Sequence, residues 1–376
     1  MVGECRQVAG GFWAFVPAPL PPELHFDSDL ILALSGADTA LGEVAGLALG
    51  GAIPRMHMLL RTFAQREAVL SSRIEGTQTQ LDELLLAEVR GRARQEHGDL
   101  REVQNYLRAI NLGIELLTTM PIATRLILRL HEALMEGVRG GDKTPGEFRR
   151  IQNFIGRPED TAATARYVPP PPEELNRLLA NWERFANDRG KLPDLIQCAV
   201  LHEQFEAIHP FQDGNGRIGR LLITLFLIAR GRLAQPLLPL SAFIERHRRD
   251  YYDTLQGVRT DGDWNGWIRY FLAGVTHTAR QTTRQARALD ALRRGYREAL
   301  RGDHRARELI DELFVNPFIT VAKAADRLKV SKPTSQRTID ILQKSGILGE
   351  TTGRPWGRIY VARAILDAIE SPPDDV

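Results

Sequence analysis

Residues 209–220 read His-Pro-Phe-Gln-Asp-Gly-Asn-Gly-Arg-Ile-Gly-Arg, and their types and spacing define a chemistry before any fold is considered. The Gly-Asn-Gly turn runs straight into an apolar segment carrying Leu221, Leu222 and Leu225. It therefore sets unpaired backbone N–H groups at a helix N-terminus, which is an anion site. Glycine lets the backbone approach such a ligand closely. Arg217 and Arg220, three residues apart, project to one side of the first helical turn and can clamp phosphate oxygens bidentately. Asp213 beside this nest is placed to hold a magnesium ion that bridges phosphates. His209, just upstream, has a pKa suited to accepting a proton at neutral pH. Singly, a glycine turn, a lone histidine or a pair of arginines is an ordinary structural feature. In this order they describe a nucleotide polyphosphate site with its own general base.

Positioning such a loop requires a helical frame, and the hydrophobic periodicity supplies one. Apolar residues recur at helical spacing through most of residues 27–300. The spacing predicts helices over 30–48, 55–70, 81–89, 99–117, 124–138, 172–189, 193–209, 215–230, 241–258 and 263–300. One segment departs from it. Residues 146–172 carry Phe148, Ile151, Phe154 and Ile155, a polar bend at 157–164, then Tyr167, Val168 and four prolines. This pattern predicts an exposed β-hairpin flap ended by a stiff polyproline stretch. Beyond residue 300 short helices are expected over 303–314, 322–328 and 332–345, the last with Pro333 near its start and Gly346 at its end. A two-stranded wing follows over 347–361, so the tail resembles a winged helix-turn-helix domain.

Composition narrows the class. The 376 residues carry 49 Lys plus Arg against 47 Asp plus Glu, a net charge of +2, so no whole-surface attraction to nucleic acid or membrane is expected. Cys5 and Cys198 stand far apart without metal-site companions, which argues against a disulfide framework or structural zinc and favours a reducing compartment. The stretch 12–24 contains Pro17, Pro19, Pro21 and Pro22, which no signal-peptide core tolerates. A cytoplasmic protein with no membrane partner is the expectation.

The string at 209–220 resembles the signature of the Fic (filamentation induced by cAMP) family, His-x-Phe-x-Asp/Glu-Gly-Asn-Gly-Arg-x-x-Arg, at every specified position. The flap with Gly156, Tyr167 and Pro169–Pro172 resembles the family's target-docking hairpin, and the first 100 residues resemble the extension that commonly precedes bacterial Fic cores. The resemblance implies a mainly α fold, a Fic-type helical bundle with a β-hairpin flap plus the C-terminal winged module. It divides the chain into an N-terminal helical extension (1–100), a Fic core (101–300) and a winged helix-turn-helix domain (301–376).

The activity implied is transfer of AMP from ATP to a Ser, Thr or Tyr hydroxyl of a target protein, with release of pyrophosphate. His209 would be the catalytic base. Gly214, Asn215 and Gly216 would cradle phosphates by backbone and side-chain amide, Asp213 would sit on Mg2+, and Arg217 and Arg220 would hold the β- and γ-phosphates. Gly219 falls in the same nucleotide-binding run, and Tyr252 would border the adenine. Phe211 and Pro210 are expected to anchor the loop.

Residues 71–76, Ser-Ser-Arg-Ile-Glu-Gly, resemble the family's inhibitory motif Ser/Thr-x-x-x-Glu-Gly/Asn. By that resemblance Glu75 pairs with Arg220 and forces ATP into an unreactive pose, and a second role in removing AMP stays open. Relatives imply self-modification and a homodimer. In the tail, Lys332, Arg337 and Lys344, with Arg354 and Arg358 at the wing, form a basic edge suited to DNA backbone or to a protein partner. Two alternatives stand beside AMP transfer: a DNA-binding regulator whose Fic domain senses nucleotide, and a variant transferring UMP or phosphate.

Overall fold

The computed structural model describes residues 2–371 except 9–10, 50–56, 92–97, 139, 141–142, 158, 191 and 355. It is mainly helical. Strands β1 (Gly3–Gln7) and β2 (Trp13–Pro17) pair antiparallel with Gly3 opposite Pro17. This hairpin was not expected from the sequence. Its alternation is short and one-sided: Ala14 and Val16 are buried while Trp13 stands 60% exposed. Phe15 N–H donates to the Val168 carbonyl, which fastens the hairpin to the proline stretch.

Helix α1 (Ser28–Leu49) packs along α11 (Trp264–Ala299) through Leu30, Ala37, Leu41 and Val44, the spacing of one buried helical face. By length and composition alone α1 could cross a membrane; here that stripe is covered by protein. Helix α2 (His57–Ile74) runs longer than predicted, past residue 70, and the expected start at Arg55 lies outside the described residues. Helix α3 (Leu81–Arg90) follows, and α4 (Asp99–Leu116) pairs with α5 (Thr124–Met135). Helices α6 (Leu175–Asn187), α7 (Asp194–Ile208) and α8 (Asn215–Ala229) complete the centre.

The single helix expected over 241–258 is two, α9 (Ser241–Arg246) and α10 (Arg248–Asp261). They break at His247, whose φ of −108° and ψ of 38° leave the helical region. Its ring packs on Phe243 with centroids 4.5 Å apart, and its carbonyl accepts the Tyr251 N–H.

The flap also differs from expectation. Its hairpin contracts to one antiparallel pair, in which Ile155 N–H donates to Tyr167 O at 2.8 Å and Tyr167 N–H to Ile155 O at 3.1 Å. Pro169–Pro171 are buried rather than exposed. The reason is Arg149, only 2% exposed, whose guanidinium reaches the Pro170 carbonyl and draws the stretch against the body.

Beyond α11 come α12 (His304–Leu313), β3 (Phe318–Thr320), α13 (Val321–Leu328), α14 (Lys332–Lys344), β4 (Gly349–Glu350), β5 (Ile359–Val361) and α15 (Arg363–Glu370). The three strands form one antiparallel sheet in the order β3-β5-β4, so the tail has a third strand and a closing helix that its sequence did not announce. No described linker separates this region from the body. The Gln285 side chain of α11 donates to the Ile369 carbonyl at 2.9 Å, and Asn316 donates to the Leu85 carbonyl at 3.0 Å.

Candidate nucleotide and active site

His209 ends α7. It adopts φ +49°, a left-handed conformation uncommon for a residue with a Cβ, and this turn is what starts the loop. Two contacts from Arg149 hold it: the Arg149 backbone N–H donates to Pro210 O, and its Nε donates to His209 O, both at 2.9 Å. Burial, then the nearby Arg149 and Arg259 charges, push the His209 imidazole down to about 3, while the Glu206 backbone and Glu75 pull weakly the other way. The ring is therefore neutral across the physiological range, but it is a weaker base than a free imidazole, which departs from the expected pKa near neutrality.

The loop is rigid by construction. Phe211 is fully buried and stacks on His131, centroids 3.7 Å apart and planes 6° from parallel. His131 accepts from Gly146 N–H through Nδ1 at 3.0 Å and contacts the Asp213 carbonyl through Nε2 at 3.0 Å, which fixes the tautomer with hydrogen on Nε2. Asn215 accepts from Phe211 N–H and donates to Phe211 O, each at 2.8 Å. Its side-chain amide, expected on phosphate, is thus spent on closing the loop. What Gly214, Asn215 and Gly216 offer an anion is the open backbone at the start of α8. Gly214 has φ +79°, and a Cβ there would sit 3.0 Å from Met135 Sδ, so glycine is required.

The two arginines part company. Arg220, 2% exposed, donates through Nε to Ser71 Oγ at 2.9 Å and through Nη2 to Ser71 O at 2.9 Å. The same Nη2 meets Glu75 Oε1 at 2.7 Å. Glu75 sits in the turn after α2, where Gly76 takes φ +102°, and keeps 32% of its side-chain surface accessible. Burial drives its carboxyl upward, but the Arg220 charge and hydrogen bond outweigh that, with Arg217 and His209 adding, and hold it below the ordinary carboxylate range. A Cβ on Gly216 would lie 2.3 Å from Glu75 Oε1. The Glu75 carboxylate therefore rests on the first turn of α8, in the position an incoming phosphate would want.

Arg217 does not clamp an open space. It is 3% exposed and forms a salt bridge with Glu102 of α4, Nη1 to Oε2 at 2.7 Å, with Glu102 itself 2% exposed. Its other nitrogen lies 3.6 Å from Asp213 Oδ1. Gly219 also turns away from the loop: a Cβ there would strike Glu206 Oε1 at 2.3 Å and approach the His202 ring at 3.3 Å. Its lack of a side chain serves the close packing of α8 on α7, not nucleotide contact.

Asp213 keeps 33% of its side chain exposed, with Lys143 Nζ 3.6 Å from Oδ2. Among the described residues no three His, Cys, Asp or Glu side chains converge as a metal centre. Magnesium commonly takes only one or two protein carboxylates and completes its shell with phosphate oxygens and water, so the single accessible Asp213 fits that ion.

Tyr252 lies in the wall of a cavity of about 690 Å³ between the flap and α10, together with Tyr167, Glu206, Arg248, Leu255 and Arg259. The Arg248 guanidinium stands 5.8 Å over the Tyr252 ring, and that of Arg259 stands 4.1 Å over Tyr167. Burial raises the Glu206 carboxyl to about 7, against the pull of Arg220. Arg149, Glu102 and Glu206 join the site without having been expected there. Only Glu206, three residues before His209, stood close enough to the loop to be found by position.

By fold and site, then, this is a mainly helical protein with a glycine-rich loop at a buried helix N-terminus and an internal carboxylate seated on that loop's last arginine. Residues 121–227 match the Fic/DOC family and residues 31–115 match the Fic/DOC family N-terminal region; the chain belongs to the Fic/DOC family. It is 30% identical over 193 residues to a protein adenylyltransferase Fic of Aedes aegypti, covering 50% of this chain and 34% of that protein. It is 28% identical over 220 residues to a protein adenylyltransferase Fic of Drosophila ananassae, covering 57% and 37%. The chain thus spans about a third of the length of the curated relatives it matches.

In architecture it is similar to a crystal structure of a Fic family protein from Desulfovibrio desulfuricans G20, with TM-score 0.59 and 21% identity, covering 91% of this chain and 98% of that one. A Fic domain containing signaling protein from Bacteroides thetaiotaomicron aligns with TM-score 0.51 and 18% identity over 69% of this chain and 97% of its own. At these identities the likeness is one of fold.

Proposed function

We propose that this protein transfers AMP from ATP to a Ser, Thr or Tyr hydroxyl of a protein and that the structure holds it in a restrained state. The observation that carries the proposal is the Arg220–Glu75 pair on the phosphate-binding turn. The names of the relatives support the reaction type. The hydroxyl oxygen attacks the α-phosphorus, the bridging bond to the β-phosphate breaks, and pyrophosphate leaves with the electron pair. The hydroxyl proton passes to the neutral His209 ring. Because the donor already carries the reactive bond, the chain's part is positioning and charge neutralisation. The backbone at the start of α8 receives phosphate oxygens, and Arg220, once released by Glu75, meets the terminal phosphate. Arg217, tied to Glu102, acts as a fixed positive field beside the loop rather than as a mobile clamp. Magnesium, held by Asp213 and the phosphates, would supply charge neutralisation along the polyphosphate.

Tyr252 and the 690 Å³ cavity are suited to the base. The exposed pair Ile151 and Phe154, 61% and 41% exposed, with the free edges beside Ile155, is suited to an extended target segment and, in another copy or the same chain, to self-modification. The test is incubation with ATP labelled at the α- or the γ-phosphate. Protein labelled only from the α-position is the expected result; γ-label in protein would mean phosphate transfer instead.

A second reading rests on a different observation. Lys332, Arg337 and Lys344 are exposed on α14, and Arg354 and Arg358 are exposed at the β4–β5 turn beside Trp356, which is 87% exposed. That edge is suited to a DNA backbone. A gel shift of the full chain that weakens steeply with salt would support DNA binding, and no shift at low salt would remove it.

A further inference from the structure

Helix α2 has a second working face. Ser71 and Glu75 point to Arg220, whereas Arg66, Leu70 and Arg73 line a separate cavity of about 310 Å³ closed by α9, α11 and α15. The charges in it do not balance. Arg73 lies 3.3 Å from Glu245, but among the described residues no carboxylate reaches ion-pair distance of Arg66, Arg246 or His277. Among the described residues Arg66 bonds only the neutral Gln285, Nη1 to Oε1 at 3.0 Å. Glu370 stands at the rim and acts on Arg66 from beyond pairing distance.

Two arginines without an ion-pair partner, Arg66 and Arg246, thus face one unpaired carboxylate, Glu370, in a partly enclosed space. Burial, and then repulsion from Arg246, His247 and Arg284, pushes the His277 ring downward. A half-buried cation without a counter-charge is costly, and an anion would relieve it. The remaining wall mixes apolar Val69, Leu81 and Phe243 with the amides of Gln80 and Gln281. Its volume is at the lower end of small-molecule sites, which begin at roughly 300 Å³.

We propose that this cavity is an effector site for a small organic anion, a phosphate or carboxylate on an apolar body, and that its occupancy sets how firmly α2 holds Glu75 on Arg220. The coupling path is short. Arg73 precedes Glu75 by two residues, and its carbonyl accepts the Gly76 N–H that closes the turn presenting Glu75. An anion that draws Arg73 from Glu245 acts directly on that turn, and by differential affinity for the two positions of α2 it shifts the latch. The coupling rests on the AMP-transfer reading; the binding site does not.

The probe is phenyl phosphate, titrated calorimetrically into the full-length protein. Arg66→Gln should weaken binding by about tenfold or more, and Arg220→Gln should leave it within about twofold. Arg246→Gln, on the exposed rim, should weaken it by a smaller factor and serves if Arg66→Gln fails to fold. The proposal is overturned if binding does not saturate in the millimolar range, or if it is lost with Arg220→Gln and unmoved by the cavity variants. For the coupling, saturating phenyl phosphate should change α-label transfer at least about threefold in the wild type and leave Glu75→Gly unchanged. An equal response in both overturns the coupling. If Glu75→Gly transfers no AMP at all, the catalytic reading fails while the calorimetry still decides the site.

Discussion

Two arginines leave the same turn of α8 and meet two kinds of carboxylate. Arg217 and Glu102 are 3% and 2% exposed and lock α8 to α4. Arg220 is equally buried, yet its partner Glu75 keeps 32% of its side chain accessible and comes from a turn rather than a helix interior. The first pair can separate only if the core opens, because each charge would be left in a low-dielectric interior. The second can separate by a movement of the turn at 75–76. The same chemistry is a rivet in one place and a latch in the other, and what decides between them is the burial of the acid.

Substitutions can break or sharpen that contrast. The largest effect is expected at the proposed base. His209→Ala should lower AMP transfer by about 10²–10⁴-fold while leaving ATP affinity within a few-fold, measured by labelling and by calorimetry, since the base is not a phosphate ligand. A variant that still transfers AMP removes the base assignment. Next is the rivet: Glu102→Ala should destabilise the fold by about 3–5 kcal/mol in denaturant unfolding. The latch should behave otherwise. Glu75→Gly should cost less than Glu102→Ala, because the acid is partly solvated and Arg220 keeps both contacts to Ser71. Comparable losses in both variants would erase the distinction between rivet and latch.

A smaller effect concerns pH. His131, held down to about 4, and His202 and His209, held down to about 3, take up protons on unfolding toward their free value of 6.5. Their contribution to stability is complete above 6.5 and lost as pH falls toward 3. Glu67 and Glu206, both raised by burial to about 7 from 4.5, act in the opposite sense, losing stability as pH rises from 4.5 to 7. The two sets partly cancel between 4.5 and 6.5, so thermal melts should change little there and drop steeply below 4.5. A flat profile down to pH 3.5 would contradict the burial of the three rings.

The loop was legible in the sequence because local spacing creates it, a glycine turn before an apolar helix; the Glu75–Arg220 contact was expected only from the family resemblance, since an acid before a helix-ending glycine is by itself ordinary. The rivet was not legible. Glu102 and Arg217 stand 115 residues apart, and nothing in the polar pattern of α4 marks one glutamate as buried. Arg149 escaped for the same reason, being one of two adjacent arginines in an irregular segment whose reach to Pro170 and His209 exists only after folding. Asn215 lies in the loop, but its amide closes the loop on Phe211 instead of standing free for phosphate, a competition between ligand and backbone that spacing does not resolve. The hairpin β1–β2 and helix α15 are short, and their periodicity is brief beside the long helical runs.

The most direct test of the latch is AMP transfer from α-labelled ATP by the wild type and Glu75→Gly, compared at equal protein and matched fold by melting temperature. Transfer, including self-modification, should rise by about 5–150-fold in Glu75→Gly. Equal labelling of the two proteins would show that the Arg220–Glu75 pair does not restrain the reaction.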